Sequence, residues 1–132
     1  MRNQPKYNFL KNTSYAVKGL KDLIKTETSF KIELILAIFL IPLIVLIDIS
    51  LVNKSLMFIS LMGMLIAEAT NSAIERVVDL VTLEHHDMAG RAKDVGSAIV
   101  FLSIVVFVVT WGIVLVETIK WEHFTMYTQG IV

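Results

Sequence analysis

Three apolar runs organise the chain. They cover roughly residues 30–47, 55–74 and 95–119. A helix needs about 20 residues to cross the hydrocarbon core of a bilayer. The third run meets that length outright. The first, with Glu33 near its start and Pro42 inside it, and the second reach it only if their polar ends are counted. Those ends must then face protein or a water-filled cleft. Ahead of the runs, residues 7–28 mix apolar and basic positions. Leu10, Tyr15, Val17, Leu20 and Ile24 approximate one helical face, while Lys11, Lys18, Lys21, Asp22 and Lys25 dominate the other. The pattern predicts an amphipathic helix lying in the membrane interface, its lysines reaching toward headgroups. The fold class expected is all-α: a surface helix over 7–28 followed by three transmembrane helices, in a single domain.

The second run ends in a polar stripe. Asn71, Ser72, Glu75 and Asp79 follow Glu68 at spacings of 3, 4, 7 and 11, which puts all five on one helical face. The stripe starts directly after an apolar stretch, so its first members belong at or near membrane depth. A carboxylate at the bilayer centre costs about 2.5–3.5 kcal/mol even on lenient insertion scales. Carboxylates beside an amide at that depth point to metal binding, proton transfer or both. Plainer roles compete for several residues. Asn71 and Ser72 can hydrogen-bond helices together. Asp79 is expected to cap, or to pair with Arg76 or Arg91. Trp111 reads as an interfacial or lipid-facing aromatic. Glu68 has no opposite charge near it in sequence. One three-helix chain is expected to shield this stripe poorly, which predicts self-association.

Composition agrees with a membrane protein. The 132 residues are 55% hydrophobic, with a mean hydropathy of +0.70. Net charge is zero, but seven of the twelve Lys and Arg fall within the first 31 residues. That cluster, with Arg76, Arg91 and Lys93 between the second and third runs, predicts that the N-terminus and the 76–94 loop share the cytoplasmic side. Trp111, Trp121 and Tyr127 are then expected toward the opposite interface. A cleavable signal peptide is not expected, because no small-residue cleavage site follows the first apolar run. No nucleic-acid partner is expected. Cysteine is absent, so disulfides and cysteine chemistry are excluded.

The loop over 80–98 concentrates Glu84, His85, His86, Asp87, Arg91, Lys93 and Asp94. Carboxylates for Mg²⁺ and cations for phosphate are the parts of a phosphoryl-transfer site. Neither a GxxxxGK[ST] loop nor a protein-kinase glycine loop is present. Glu27 and Glu33 stand where the amphipathic segment meets the first span, and Glu75 can join one of them as a hard oxygen ligand. The His85–His86 pair with Asp87 raises zinc as an alternative, but structural zinc sites usually take four protein ligands.

AEATNSAIERVVDL closely resembles the signature of the small prokaryotic diacylglycerol kinases, Glu-x-x-Asn-[Ser/Thr]-Ala-Ile-Glu-x-x-Val-Asp. LEHHDMAGRAKDVGSAIV resembles the loop and third-helix start that follow it, and SYAVKGLKDLIKTETSFKIE the preceding amphipathic segment. The resemblance runs from about residue 7 to about 115. It implies an integral-membrane homotrimer with three spans and one surface helix per chain. It also implies ATP- and Mg²⁺-dependent phosphorylation of a lipid primary alcohol in the bacterial inner membrane. Position by position it makes Glu68 the proton acceptor and Glu27 and Glu75 the metal carboxylates. Tyr15, Glu84, His86, Lys93 and Asp94 become nucleotide contacts, and Asn71 a polar neighbour of the reaction centre. Ser97 and Trp111 match positions lining the lipid cleft, with Glu33 beside them. Asn8 departs from an arginine that touches nucleotide in some members, with Lys6 or Lys11 as substitutes. Leu46 or Ile47 stands where some relatives carry an interfacial tryptophan.

The expected reaction converts sn-1,2-diacylglycerol to phosphatidic acid. GRAKDVGSAIV resembles the diacylglycerol branch more than the undecaprenol kinases. Gly96, Ser97 and Ala98 are expected to leave room beside Glu68 for a glycerol headgroup. Undecaprenol kinase activity is the nearest alternative. A proton or ion conduit, or a structural membrane subunit, is the alternative of another class.

Overall fold

The computed structural model describes the backbone of residues 8–128 and the side chains of residues 8–120. The compensating role of Lys6 and the interfacial placement of Trp121 and Tyr127 lie outside the described residues. Everything described is helix or short connection: α1 (Phe9–Thr26), α2 (Thr28–Leu46), α3 (Leu51–Val81) and α4 (Asp87–Thr128). The last three are each long and apolar enough to cross a membrane.

Local chemistry sets the helix ends. Asn8 caps α1: its side chain accepts from the Lys11 N–H at 3.1 Å. Ser50 does the same for α3, accepting from Asn53 N–H at 3.2 Å. At the end of α2 the Lys54 ammonium donates to the Val45 carbonyl at 2.9 Å, placing a cation on a helix C-terminus. Glu27 alone separates α1 from α2. Its backbone is extended (φ −100°, ψ 114°), so the chain turns there without a loop.

α3 and α4 extend past the apolar runs. The 31 residues of α3 measure about 46 Å at 1.5 Å per residue, well beyond a hydrocarbon core of about 30 Å. Residues 75–81 contain no Gly or Pro to break the helix, so it continues through the polar stripe to Val81.

The core lies between α2, α3 and α4, and α3 and α4 make the most extensive contact. α2 contributes Phe30, Ala37 and Ile44, one every two turns. α3 contributes Met57, Leu61 and Leu65, and α4 Trp111 and Val114. None of α1 is buried, and Phe9, Leu10, Val17, Leu20 and Ile24 stay exposed.

Trp111 is a correction. It is neither interfacial nor lipid-facing but 7% exposed, and its indole N–H donates to the Met57 carbonyl at 3.3 Å. Phe107 packs on it with ring centroids 5.1 Å apart. A tryptophan in an apolar helix reads as a belt residue from sequence, and only the rotation of α4 turns it inward. Trp111→Ala is therefore expected to destabilise the chain by about 3 kcal/mol or more, measured by equilibrium unfolding in mixed micelles. Unchanged stability with weakened lipid-substrate use would return Trp111 to the lipid cleft.

Candidate functional site

The buried face of α3 continues without a break from packing into chemistry. Met57, Leu61, Met64, Glu68, Asn71 and Glu75 alternate at spacings of four and three, a single seam along one side of the helix. The first three fill the core. Glu68 and Asn71 are only 7% and 9% exposed, and Ser72 beside them 3%. One chain therefore buries the start of the stripe by itself, while further along Glu75 is half-buried and Asp79 exposed, the poor shielding expected from sequence. α2 supplies a second buried carboxylate in the same way. Glu33 lies on the face that buries Phe30 and Ala37 and is 9% exposed.

Glu33 and Glu68 share a groove of about 430 Å³ with Ser29. Its other walls are apolar: Ile32, Leu36, Met64, Val100, Ile104, Phe107 and Val108. Ile32 and Val108 are 63% and 59% exposed, so the groove opens sideways, at the level of the apolar helices. Glu33 Oε2 is buried without a hydrogen-bond partner among the described residues. A buried acceptor facing a cavity is a place for a donor from outside the chain. Neither Ser97 nor Trp111 lines this groove. Ser97 is exposed on α4, and Trp111 is committed to Met57.

The space expected beside Glu68 is used differently. Gly96 is buried against α3, and a Cβ built there would collide with Asn71 Oδ1. Asn71 Nδ2 in turn donates to Glu75 Oε1 at 3.1 Å. The glycine lets α4 close on the amide, and the amide orients the carboxylate. Sequence reading named Gly96 but assigned it to the wrong neighbour.

Four carboxylates gather around the start of the stripe. Glu68 lies within electrostatic reach of Glu75 and Glu27, and Glu33 within reach of Glu68. Among the described residues no three His, Asp or Glu close into a metal cage. Mg²⁺ does not require one: it takes one or two protein carboxylates and fills its shell with water and phosphate oxygens. Glu27 and Glu75 fit that demand, because the carboxylates offer hard oxygens only and the Asn71 amide bonded to Glu75 leaves its Oδ1 as a buried acceptor without a donor. Zinc fits poorly. His86 Nδ1 is occupied by the Met88 N–H at 3.2 Å at the start of α4, and His85 lies exposed 3.7 Å from Asp87.

Beyond Glu75 the α3–α4 connection forms a small cavity of about 150 Å³, lined by Asp79, Thr82, Glu84, His85, His86 and Lys93 among others. Asp79 neither caps nor pairs with Arg76 or Arg91. It holds Lys93, Nζ to Oδ1 at 2.6 Å. Arg76 turns instead to α1 and Glu27. Of the predicted nucleotide contacts, the structure brings together Glu84, His86 and Lys93. Asp94 and Tyr15 do not line this cavity. Both are exposed, and the Lys18 ammonium sits 5.9 Å from the Tyr15 ring centroid.

Gly96→Ala is expected to displace Asn71 and lose its bond to Glu75, destabilising the chain by about 1–3 kcal/mol as overpacking does. Unfolding measurements check this. A compensating Asn71→Ala, which empties the collided space, should recover part of the loss; no recovery would mean that Gly96 is packed against something else.

Residues 14–115 match the family model of prokaryotic diacylglycerol kinase. A diacylglycerol kinase of Haemophilus influenzae is 39% identical over 105 residues, 80% of this chain and 89% of the relative. One from Escherichia coli K12 is 37% identical over 115 residues, 87% of this chain and 90% of the relative. An undecaprenol kinase of Bacillus subtilis is 32% identical over 92 residues, 70% of this chain and 75% of the relative. The matched stretch contains the groove, the four carboxylates and the Asp79–Lys93 pair. The chain belongs to the prokaryotic diacylglycerol kinase family.

Proposed function

We propose that the protein is a multi-pass membrane kinase that transfers the γ-phosphoryl group of ATP to sn-1,2-diacylglycerol, giving phosphatidic acid and ADP. One observation carries the reading. Glu33 and Glu68 stand in an apolar groove open to the side of the helices, and the same face of α3 leads from Glu68 to Glu75 and the Asp79–Lys93 pair. Glu68 and Glu75 are seven residues apart, about 10 Å along the helix axis. A lipid-soluble acceptor and a water-soluble donor can each reach one end of that path.

In this mechanism the lipid hydroxyl enters the groove and donates its proton to Glu68 as its oxygen bonds to the γ-phosphorus. The bond from that phosphorus to the bridging oxygen of ADP breaks. The one hydroxyl of the headgroup is committed to Glu68, so Glu33 shapes the polar end of the groove beside it, and Asn71 holds Glu75 in place. Lys93, released from Asp79, balances charge on the phosphates. Glu27 and Glu75 would hold Mg²⁺, which when bound neutralises phosphate charge. Tyr15, Glu84, His86 and Asp94 are assigned to the nucleotide on the family resemblance alone, as is assembly into a homotrimer. The exposed apolar residues of α1 with its lysines support a helix lying in the interface.

Identities of 39% and 37% to the Haemophilus and Escherichia diacylglycerol kinases support diacylglycerol as acceptor, while a diacylglycerol kinase of Helicobacter pylori, at 31%, stands no nearer than the undecaprenol kinase at 32%. The test is purified protein with ATP, Mg²⁺ and a panel of lipid alcohols, in wild type and Glu68→Gln. Turnover should depend on added diacylglycerol and fall about 10²-fold or more in the variant. Lipid-independent ATP turnover would sink the kinase reading. Higher kcat/KM on undecaprenol would overturn only the substrate, and near-normal Glu68→Gln turnover only the base.

The basic N-terminal cluster and Arg76, Arg91 and Lys93, which flank the α3–α4 connection, support an inner-membrane protein with both on the cytoplasmic side. The chain has no native cysteine to interfere. In intact cells an impermeant thiol reagent should label Val52→Cys and spare Asp87→Cys. The reverse pattern would strand the nucleotide end away from ATP.

A further inference from the structure

We infer that Arg76 is a positioning residue: a fork that seats the N-terminal helix on α3 and fixes the orientation of Glu27. The second half rests on the proposed role of Glu27 as a Mg²⁺ ligand.

One guanidinium on α3 gathers three acceptors from the end of α1. Its Nη1 donates to Asp22 Oδ2 at 2.5 Å, and its Nη2 to Thr26 Oγ1 and to Glu27 Oε1, both at 2.7 Å. Within the described chain, little else ties α1 down. It buries no residue, and only Leu23 packs partly against the core. Glu27 is also the single extended residue between two helices, so rotation at that one position would swing α1 as a body. A planar fork that reaches two carboxylates and a hydroxyl fixes direction as well as distance, which a lysine ammonium does not.

The same contacts bear on the cation. The hydrogen bond that Glu27 accepts from Arg76 falls on Oε1. Arg76 can therefore hold one carboxylate oxygen while Oε2 faces a divalent ion. A free Glu27 would have to be ordered when the ion binds, and ordering a long side chain costs conformational entropy. Arg76 thus favours cation binding at Glu27 despite its own positive charge.

The test needs no turnover. Spin labels at Asn12→Cys and Leu80→Cys, in the cysteine-free background, report the α1-to-α3 distance in lipid nanodiscs without metal or nucleotide. Wild-type Arg76 should give one narrow distance. Arg76→Ala should broaden it, Asp22→Asn should broaden it less, and Arg76→Lys should fall between Arg76 and Arg76→Ala. Mn²⁺ alone, titrated by its own magnetic resonance signal, should bind Arg76→Ala with a Kd raised roughly two- to fivefold, the range of a partly exposed ion pair. Unchanged distances in both Arg76→Ala and Asp22→Asn would overturn the seating role; Asp22→Asn keeps the test open if Arg76→Ala does not fold. Tighter Mn²⁺ binding in Arg76→Ala would make Arg76 a competitor and overturn the orienting role. Glu27→Gln separates the two readings. If it leaves Mn²⁺ affinity unchanged while Arg76→Ala still broadens the distance, Glu27 is no metal ligand and the fork stands as a seat for α1 alone.

Discussion

Two carboxylates buried between apolar helices are the constraint on which the rest of this structure turns. Glu33 and Glu68 occupy positions whose neighbours one and two turns away are core side chains. No cation of the chain pairs with either among the described residues. Arg76 is committed to Asp22 and Glu27, and Lys93 to Asp79. An apolar residue at position 33 or 68 would pack as well and cost less. The helices must therefore hold an unfavourable pair in place, and they do so by building the pair into the seam that stabilises them. α3 cannot rotate to expose Glu68 without also withdrawing Met57 and Leu61, which have no exposed surface at all.

That coupling explains why the α3–α4 contact carries so much detail. Near one end the Trp111 indole holds the Met57 carbonyl, and near the other Gly96 admits Asn71. Between them the relative height and rotation of the two helices are fixed. Asn71 translates that fit into the position of Glu75, because its two amide atoms serve different neighbours. Nδ2 bonds the carboxylate, while Oδ1 lies in the space that Gly96 leaves open. A packing residue with no functional group thus governs a carboxylate that it does not touch.

The helices and the stripe were legible in the sequence for a physical reason. Span length is set by bilayer thickness, and the period of 3.6 places Glu68, Asn71 and Glu75 on one face whatever surrounds them. Partner choice was not legible. Arg76 and Asp79 are three residues apart on one helix and read as a pair, yet the partners Arg76 takes are 49, 50 and 54 residues away. What decides this is the extended backbone of Glu27, which brings the end of α1 beside α3, and no local pattern announces that turn. Trp111 fails to read for a similar reason. Its apolar neighbours on α4 surround it on every face, so hydrophobicity alone gives no direction for the indole. Gly96 was visible as a small residue, but its neighbour depends on the rotation of α4 against α3.

The size of the groove bears on how a substrate would be chosen. About 430 Å³ is enough for a headgroup and the first carbons of a chain, near the lower end of ordinary ligand pockets. The hydrocarbon tails of either candidate lipid would remain outside, in the bilayer. Discrimination between a diacylglycerol and a polyprenol then falls to the polar end, where Ser29, Glu33 and Glu68 meet the alcohol. The ester groups of a glycerolipid accept hydrogen bonds, and in that lining the Ser29 hydroxyl is a donor while an ionised Glu33 or Glu68 is not. A polyprenol brings a hydroxyl and no acceptor beyond it, so the Ser29 proton would stay with Glu68, the partner it already has. The groove therefore has one point, beside the base rather than along the tail, at which the two alcohols differ in the bonds they can make.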